Sequence, residues 1–190
     1  IQSNGPAASV FDPTKIGSVN PVPATPVVGY PIEQSLARRY GARESGSANP
    51  YWLLTDSVEG AAFPVGTRSV LFFGRHGQGD YCYGSGGSGG QCNDPADGSK
   101  GDHAYPYAYQ VWAYDANDLL AVKEGRKLQY EILPYAVWTF DLPYAGTNSA
   151  RQLGGVAYDP ANGRIYITQR CGDTNCTPVV HVMQVTTGGA

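Results

Sequence analysis

Gly154-Gly155-Val156-Ala157-Tyr158-Asp159-Pro160-Ala161-Asn162-Gly163-Arg164-Ile165-Tyr166-Ile167-Thr168-Gln169 carries the clearest structural signal in the chain. Its centre is dense in turn residues. Pro160 presets φ at the first corner, Asp159 can accept from the backbone two residues on, and Gly163 tolerates positive φ. On either side lie short aromatic and β-branched runs, with Ile165 and Ile167 on one face and Arg164, Tyr166 and Thr168 on the other. The pattern predicts strand, tight turn, strand.

A variant of the stretch occurs earlier, over Gly60-Ala61-Ala62-Phe63-Pro64-Val65-Gly66-Thr67-Arg68-Ser69-Val70-Leu71-Phe72-Phe73-Gly74. Gly60 pairs with Gly155, Ala62 with Ala157, Phe63 with Tyr158, and Arg68 with Arg164 after a one-residue gap. Each copy continues into a loop containing Gly and Cys and then into another strand, Tyr107 to Tyr114 after the first and Val179 to Val185 after the second. A recurring hairpin-based unit predicts a radial all-β repeat, the β-propeller blade foremost. The blades fall at about 60–142 and 155–185 within residues 51–190, two to three in all if the N-terminal segment adds outer strands. A closed propeller takes roughly four blades or more. The expected architecture is therefore part of a larger propeller, its partners being the remainder of that propeller or neighbouring copies of the chain. A self-contained β-sandwich is the alternative.

Residues 1–50 are the least regular. Ser9-Val10-Phe11 before Asp12-Pro13 reads as a short strand and turn, and Val27-Val28-Gly29-Tyr30 as an edge strand. Pro21, Pro23, Pro26 and Pro31 keep this segment out of central sheet pairing. Ala37-Arg38-Arg39-Tyr40-Gly41-Ala42-Arg43 is a local basic cluster, a solvated loop or an anion contact. Residues 75–106 form a long loop, beyond the roughly 12–15 residues of ordinary connections. A two-turn helix is expected over Tyr114–Gly125, capped by Asp115 and ended by Gly125. Tyr135 to Leu142 then reads as a strand covered on both faces.

The chain has 190 residues, with 25 Gly, 14 Pro and 14 Tyr against one Met, a composition of strands and turns. Its net charge of −3 and scattered Lys and Arg argue against nucleic-acid binding. No apolar run reaches the roughly 20 residues of a membrane-spanning helix. It begins at Ile1 without a charged-then-apolar leader and so reads as a processed form or a fragment. The cysteines form two local pairs, Cys82 with Cys92 and Cys171 with Cys176, whose spacing favours disulfides over zinc. Disulfides place the protein in an extracellular or periplasmic setting. Asn175-Cys176-Thr177 is an N-glycosylation sequon, relevant only in a eukaryotic secretory pathway.

Together, Ser69 to Gly77, His103-Ala104-Tyr105-Pro106-Tyr107, Tyr114 to Leu120 and the opening stretch resemble the C-terminal part of secreted bacterial β-propeller-like proteins. The Tyr-Asp-Pro-x-x-Gly-Arg-hydrophobic-Tyr pattern also looks like blades of lactonase-like and quinoprotein-like propellers. The resemblance implies a fold over roughly residues 60–185. It carries over no activity and no ligand residues, because propellers host many unrelated functions.

If the blades are built this way, one face gathers Arg75, His76, Asp80, Asp102, His103, Arg170 and Asp173. Three chemistries fit. In an extracellular hydrolase or lyase, His76 or His103 would be the general base, oriented by Asp80 or Asp102, with Arg75 holding an anionic substrate. In a calcium site, Asp80, Asp94, Asp97 and Asp102 would supply oxygens, although their spacing matches no calcium loop. In a recognition module, Tyr81, Tyr83, Tyr105, Tyr107 and Tyr109 would stack on a glycan or protein ligand, with Arg75 and Arg170 beside them. The plain alternative is a stapled surface loop built from Tyr and Gly. His181, alternating with Val179, Met183 and Val185, reads as a core or interface histidine. No nucleophile-elbow, zinc-protease or P-loop pattern is present. The expectation is a secreted recognition or assembly module without a cofactor, with the enzyme as alternative.

Overall fold

The structure, a computed structural model, describes residues 3–37, 45–144 and 149–186. The basic cluster expected from Arg38 to Arg43 lies outside the described residues.

The described residues are mostly β, in four small antiparallel sheets with one short α-helix. The strands are β1 (Ala8–Phe11), β2 (Ala24–Val28), β3 (Ser57–Ala62), β4 (Ser69–Gly77), β5 (Cys82–Ser85), β6 (Lys100–His103), β7 (Tyr107–Asp115), β8 (Ala136–Phe140), β9 (Leu153–Asp159), β10 (Arg164–Gln169) and β11 (Val179–Gln184), with helix α1 (Ala116–Lys123) between β7 and β8. A four-stranded sheet runs β3-β4-β7-β8 and a three-stranded one runs β9-β10-β11; β1-β2 and β5-β6 are two-stranded. Neighbours in the two larger sheets are sequential strands, apart from the β5-β6 excursion between β4 and β7.

Both predicted hairpins form. Val58, Gly60, Ala61 and Ala62 face Gly74, Phe73, Phe72 and Leu71, while Gly155, Val156 and Ala157 face Thr168, Ile167 and Tyr166. The observed register sets Gly60 opposite Phe73 and Gly155 opposite Thr168, and Ala62 opposite Leu71 and Ala157 opposite Tyr166. It does not confirm Arg68 with Arg164; the arginines in matching positions are Arg75, opposite Ser57, and Arg170, directly after β10. Each first strand also carries a bulge at the same place. Glu59 is passed over in the β3–β4 register, and Gly154 in the β9–β10 register. A bulge leaves one residue unpaired and re-aims its side chain.

The four-stranded sheet is covered on both faces. On one face Val70, Phe72, Trp112 and Tyr114 pack with Val28, Tyr30, Trp52, Val122 and Ile132 from the N-terminal segment, α1 and the α1–β8 connection. Tyr30 donates to the Ile132 carbonyl at 2.7 Å and lies 2.9 Å from the Tyr114 hydroxyl. Burial, the larger effect, pushes the Tyr30 phenol up to about 12 against the Tyr114 hydrogen bond. On the other face Ala62, Phe73, Tyr109 and Val111 pack with Leu153, Ile165 and Ile167 of the three-stranded sheet. The two large sheets meet most closely along β3 and β9. A Cβ on Gly60 would lie 2.6 Å from Val156 Cβ and 2.7 Å from its backbone nitrogen, so only glycine permits this approach.

The helix stands as expected, its Asp115 carboxylate accepting from Asn117 N at 2.9 Å. The strand predicted over Tyr135–Leu142 is β8, but it is an edge strand, with Trp138 43% exposed rather than covered on both faces. Residues 75–106 are not one loop. β4 continues to Gly77, and β5 and β6 form their own hairpin, stapled by the Cys82–Cys92 disulfide. The second disulfide joins Cys171 to Cys176 in the β10–β11 connection. Two disulfides fit an oxidising compartment. No helix among the described residues is long and apolar enough to cross a membrane.

Candidate functional site

The two histidines of the predicted site are anchors within the protein. His76, 3% exposed on β4, places Nδ1 2.6 Å from Asp56 Oδ2 and Nε2 3.2 Å from the Gly46 carbonyl. Asp56 also accepts from Leu53 N at 2.9 Å and from Gly77 N at 2.8 Å. His103, 2% exposed at the end of β6, places Nδ1 2.8 Å from Asp94 Oδ2 and Nε2 3.1 Å from the Ser99 carbonyl. Tyr107 donates to the same Asp94 oxygen at 2.7 Å. A carbonyl only accepts, so Nε2 carries hydrogen in both rings. Burial alone disfavours each imidazolium, but the hydrogen bond and charge of the facing aspartate outweigh it and raise both histidine pKa values. The carboxylates facing them are Asp56 and Asp94, not Asp80 or Asp102. All four ring nitrogens are engaged within the protein and both rings are buried.

The acidic residues are placed separately. Asp80 forms an isolated bridge with Ser45, Asp97 accepts from Ser99 N at 2.9 Å, and Asp102 accepts from Tyr81 at 2.5 Å. Among the described residues no three His, Cys, Asp or Glu side chains gather as a metal site. Asp173 caps its own loop, accepting from Asn175 N and Thr177 N. Of the five tyrosines read as stacking platforms, Tyr107 and Tyr109 are buried and present no open ring. Tyr105 is half-buried edge-on to Tyr107, Tyr81 is half-buried, and Tyr83 is 60% exposed. His181 reaches Gln169 Oε1 at 2.9 Å, and Gln169 donates on to the Tyr109 hydroxyl at 2.9 Å, as an interface histidine should.

A different polar group emerges where β3 meets β9. The bulge residue Glu59 accepts from Ser57 Oγ at 2.5 Å through Oε1, while its buried Oε2 has no hydrogen-bond partner. Burial, the largest effect, holds this carboxyl above its usual range, against the Ser57 hydrogen bond and the charges of Arg75 and Arg170. Arg75 is fixed by the Thr55 carbonyl at 3.3 Å, the Ala150 carbonyl at 3.2 Å and the Tyr107 ring 4.5 Å beneath its guanidinium. Arg170 is exposed. The two arginines read from the sequence thus do share a neighbourhood, around a carboxyl that was not singled out. Its signal was present: Glu59 precedes the Gly60 of the repeat, at the position where the second copy has Gly154.

Comparison with family models, with curated proteins and with solved structures finds no match to this chain. The resemblance to secreted propeller-like proteins therefore rests on the residues quoted for it.

Proposed function

We propose that this chain is a secreted assembly and recognition module, a section of a β-propeller whose open sheet face receives a further antiparallel sheet. One observation carries this reading. In the four-stranded sheet, Ala62, Leu71, Phe73 and Val111 form the face buried against the three-stranded sheet. The matching residues of the three-stranded sheet, Ala157, Tyr166, Thr168 and Val180, lie on its opposite, uncovered face. Val111 is 2% exposed and its counterpart Val180 is 58% exposed. The sheets therefore stack head to tail, and the stack is open at β9-β10-β11. At the other end it is capped by Val28, Tyr30 and α1.

Close approach along the first strands, β3 and β9, supports a radial arrangement over a flat sandwich, since blades converge at an axis. The free edge of β11 and the exposed Val180 and Val182 are the surface such a neighbour would cover. The neighbour is another copy of the chain or further sequence of the same protein.

The test is the mass of the chain in solution by light scattering over a concentration series. Association is expected, and Val180→Lys with Val182→Lys should abolish it while leaving the circular dichroism unchanged. A monomer at every concentration overturns the reading that copies of the chain supply the neighbour.

A second reading, an extracellular hydrolase or lyase, is favoured by Glu59, a buried carboxyl with an unpartnered oxygen beside Arg75 and Arg170.

A further inference from the structure

The β5-β6 hairpin is an insertion that the sheet does not require. β4 and β7 pair directly over their whole length, from Ser69 opposite Asp115 to Gly77 opposite Tyr107. In the second sheet the same connection is made by residues 170–178. An isolated two-stranded hairpin is marginal in water. This one is held by independent anchors on its inner side: the Cys82–Cys92 disulfide, the His103–Asp94 pair, the Tyr107–Asp94 hydrogen bond, and Gly87 N donating to the Asp94 carbonyl at 2.8 Å.

The register divides the hairpin into two faces. Cys82 opposite His103, and Gly84, lie toward the protein; Tyr83 opposite Asp102 and Ser85 opposite Lys100 face solvent. On that outer face an exposed tyrosine ring stands across from a carboxylate. Asp102 Oδ1 takes the Tyr81 hydroxyl at 2.5 Å, which orients the carboxylate. Its Oδ2 has no hydrogen-bond donor among the described residues. Lys100 adds three donors two pairs further along, the next on the same face.

We propose that this outer face, Tyr83 with Asp102 and Lys100, is a carbohydrate-binding platform for β-linked pyranose chains. The tyrosine face matches the flat C–H face of an equatorially substituted pyranose, and the free carboxylate oxygen accepts from the hydroxyls at the ring edge. Because disulfide and buried pairs already hold the hairpin, little loop ordering opposes binding. A protein ligand would instead call for a larger apolar centre than one exposed ring supplies. The platform lies on the β4–β7 insertion rather than on the open face of β9-β10-β11, so occupancy of that face does not bear on it.

Cellohexaose and chitohexaose, both β-1,4-linked, are to be titrated calorimetrically into the intact, oxidised protein. At least one should bind. Tyr83→Ala should weaken it about tenfold, the scale on which loss of an aromatic anchor is felt, and Tyr83→Trp should retain it. Asp102→Asn should weaken binding less, because an amide oxygen still accepts. Tyr83 is exposed, so each variant is expected to keep the parent melting temperature, which is measured alongside. No heat with either sugar, or binding that Tyr83→Ala leaves unchanged, overturns the proposal. So does capture of a protein ligand through Tyr83 when neither sugar binds.

Discussion

Asp56 ties two segments together with one carboxyl group: its contacts reach His76 and Gly77 on β4 and Leu53 before β3, and His76 continues to a third segment at Gly46. Removing it leaves a buried imidazole and two backbone N–H groups without an acceptor. Asp56→Ala should therefore cost about 3–5 kcal/mol in urea denaturation, the range for breaking a buried pair from one side. Glu59 makes the opposite case. Its carboxyl is held above the usual range by burial, so the stability it contributes is complete below the ordinary glutamate value and is lost as pH rises through the folded value. Glu59→Gln should flatten that part of the profile, and at about pH 8 the variant should be more stable than the parent. Unfolding free energies at about pH 5 and pH 8 check this, and a parent less stable at the lower pH by the same margin as the variant would count against it. Both histidines stood out in the sequence, but their partners did not. Asp56 lies twenty residues before His76, joined to it only by antiparallel return of the chain, and no spacing rule connects them.

Among elements, the hairpins were legible because their turns are chemically specified. Asp159 accepts from Ala161 N at 2.9 Å and Gly163 sits at φ +62, as the turn residues require. Helix α1 was legible through its cap. β5 and β6 were not, because Gly84, Ser85, Lys100 and Gly101 have little strand character, and the hairpin owes its existence to the disulfide and to Asp94. β8 differs from its expectation for a related reason: apolar content cannot tell an edge strand from a central one, which is set by whether another strand pairs beyond it. At this scale the decisive contact is the β3–β9 approach. Gly60→Ala would set a methyl against Val156 backbone and side chain and should cost about 1–3 kcal/mol, as overpacking does. Gly98→Ala, where a Cβ meets nothing within 4 Å, is the control and should be near neutral. Chemical denaturation of both separates the close approach from a general intolerance of alanine for glycine.

The whole molecule is a stack: N-terminal hairpin and helix, four-stranded sheet, three-stranded sheet. The strand-rich class, the two hairpins, the helix cap and the cysteine pairs are legible in the residues alone. Turn chemistry, alternation and short loop closure act over a few residues and leave their mark locally. Tertiary contact sets which faces are covered. Val111 and Val180 look alike in sequence and each lies on the third strand of its sheet, yet among the described residues one is buried against the next sheet and the other is exposed. It likewise decided that His76 and His103 are anchors and that Glu59 lies with Arg75 and Arg170 at the β3–β9 junction. Burial and partnership of this kind are properties of distant segments brought together, and no local pattern encodes them.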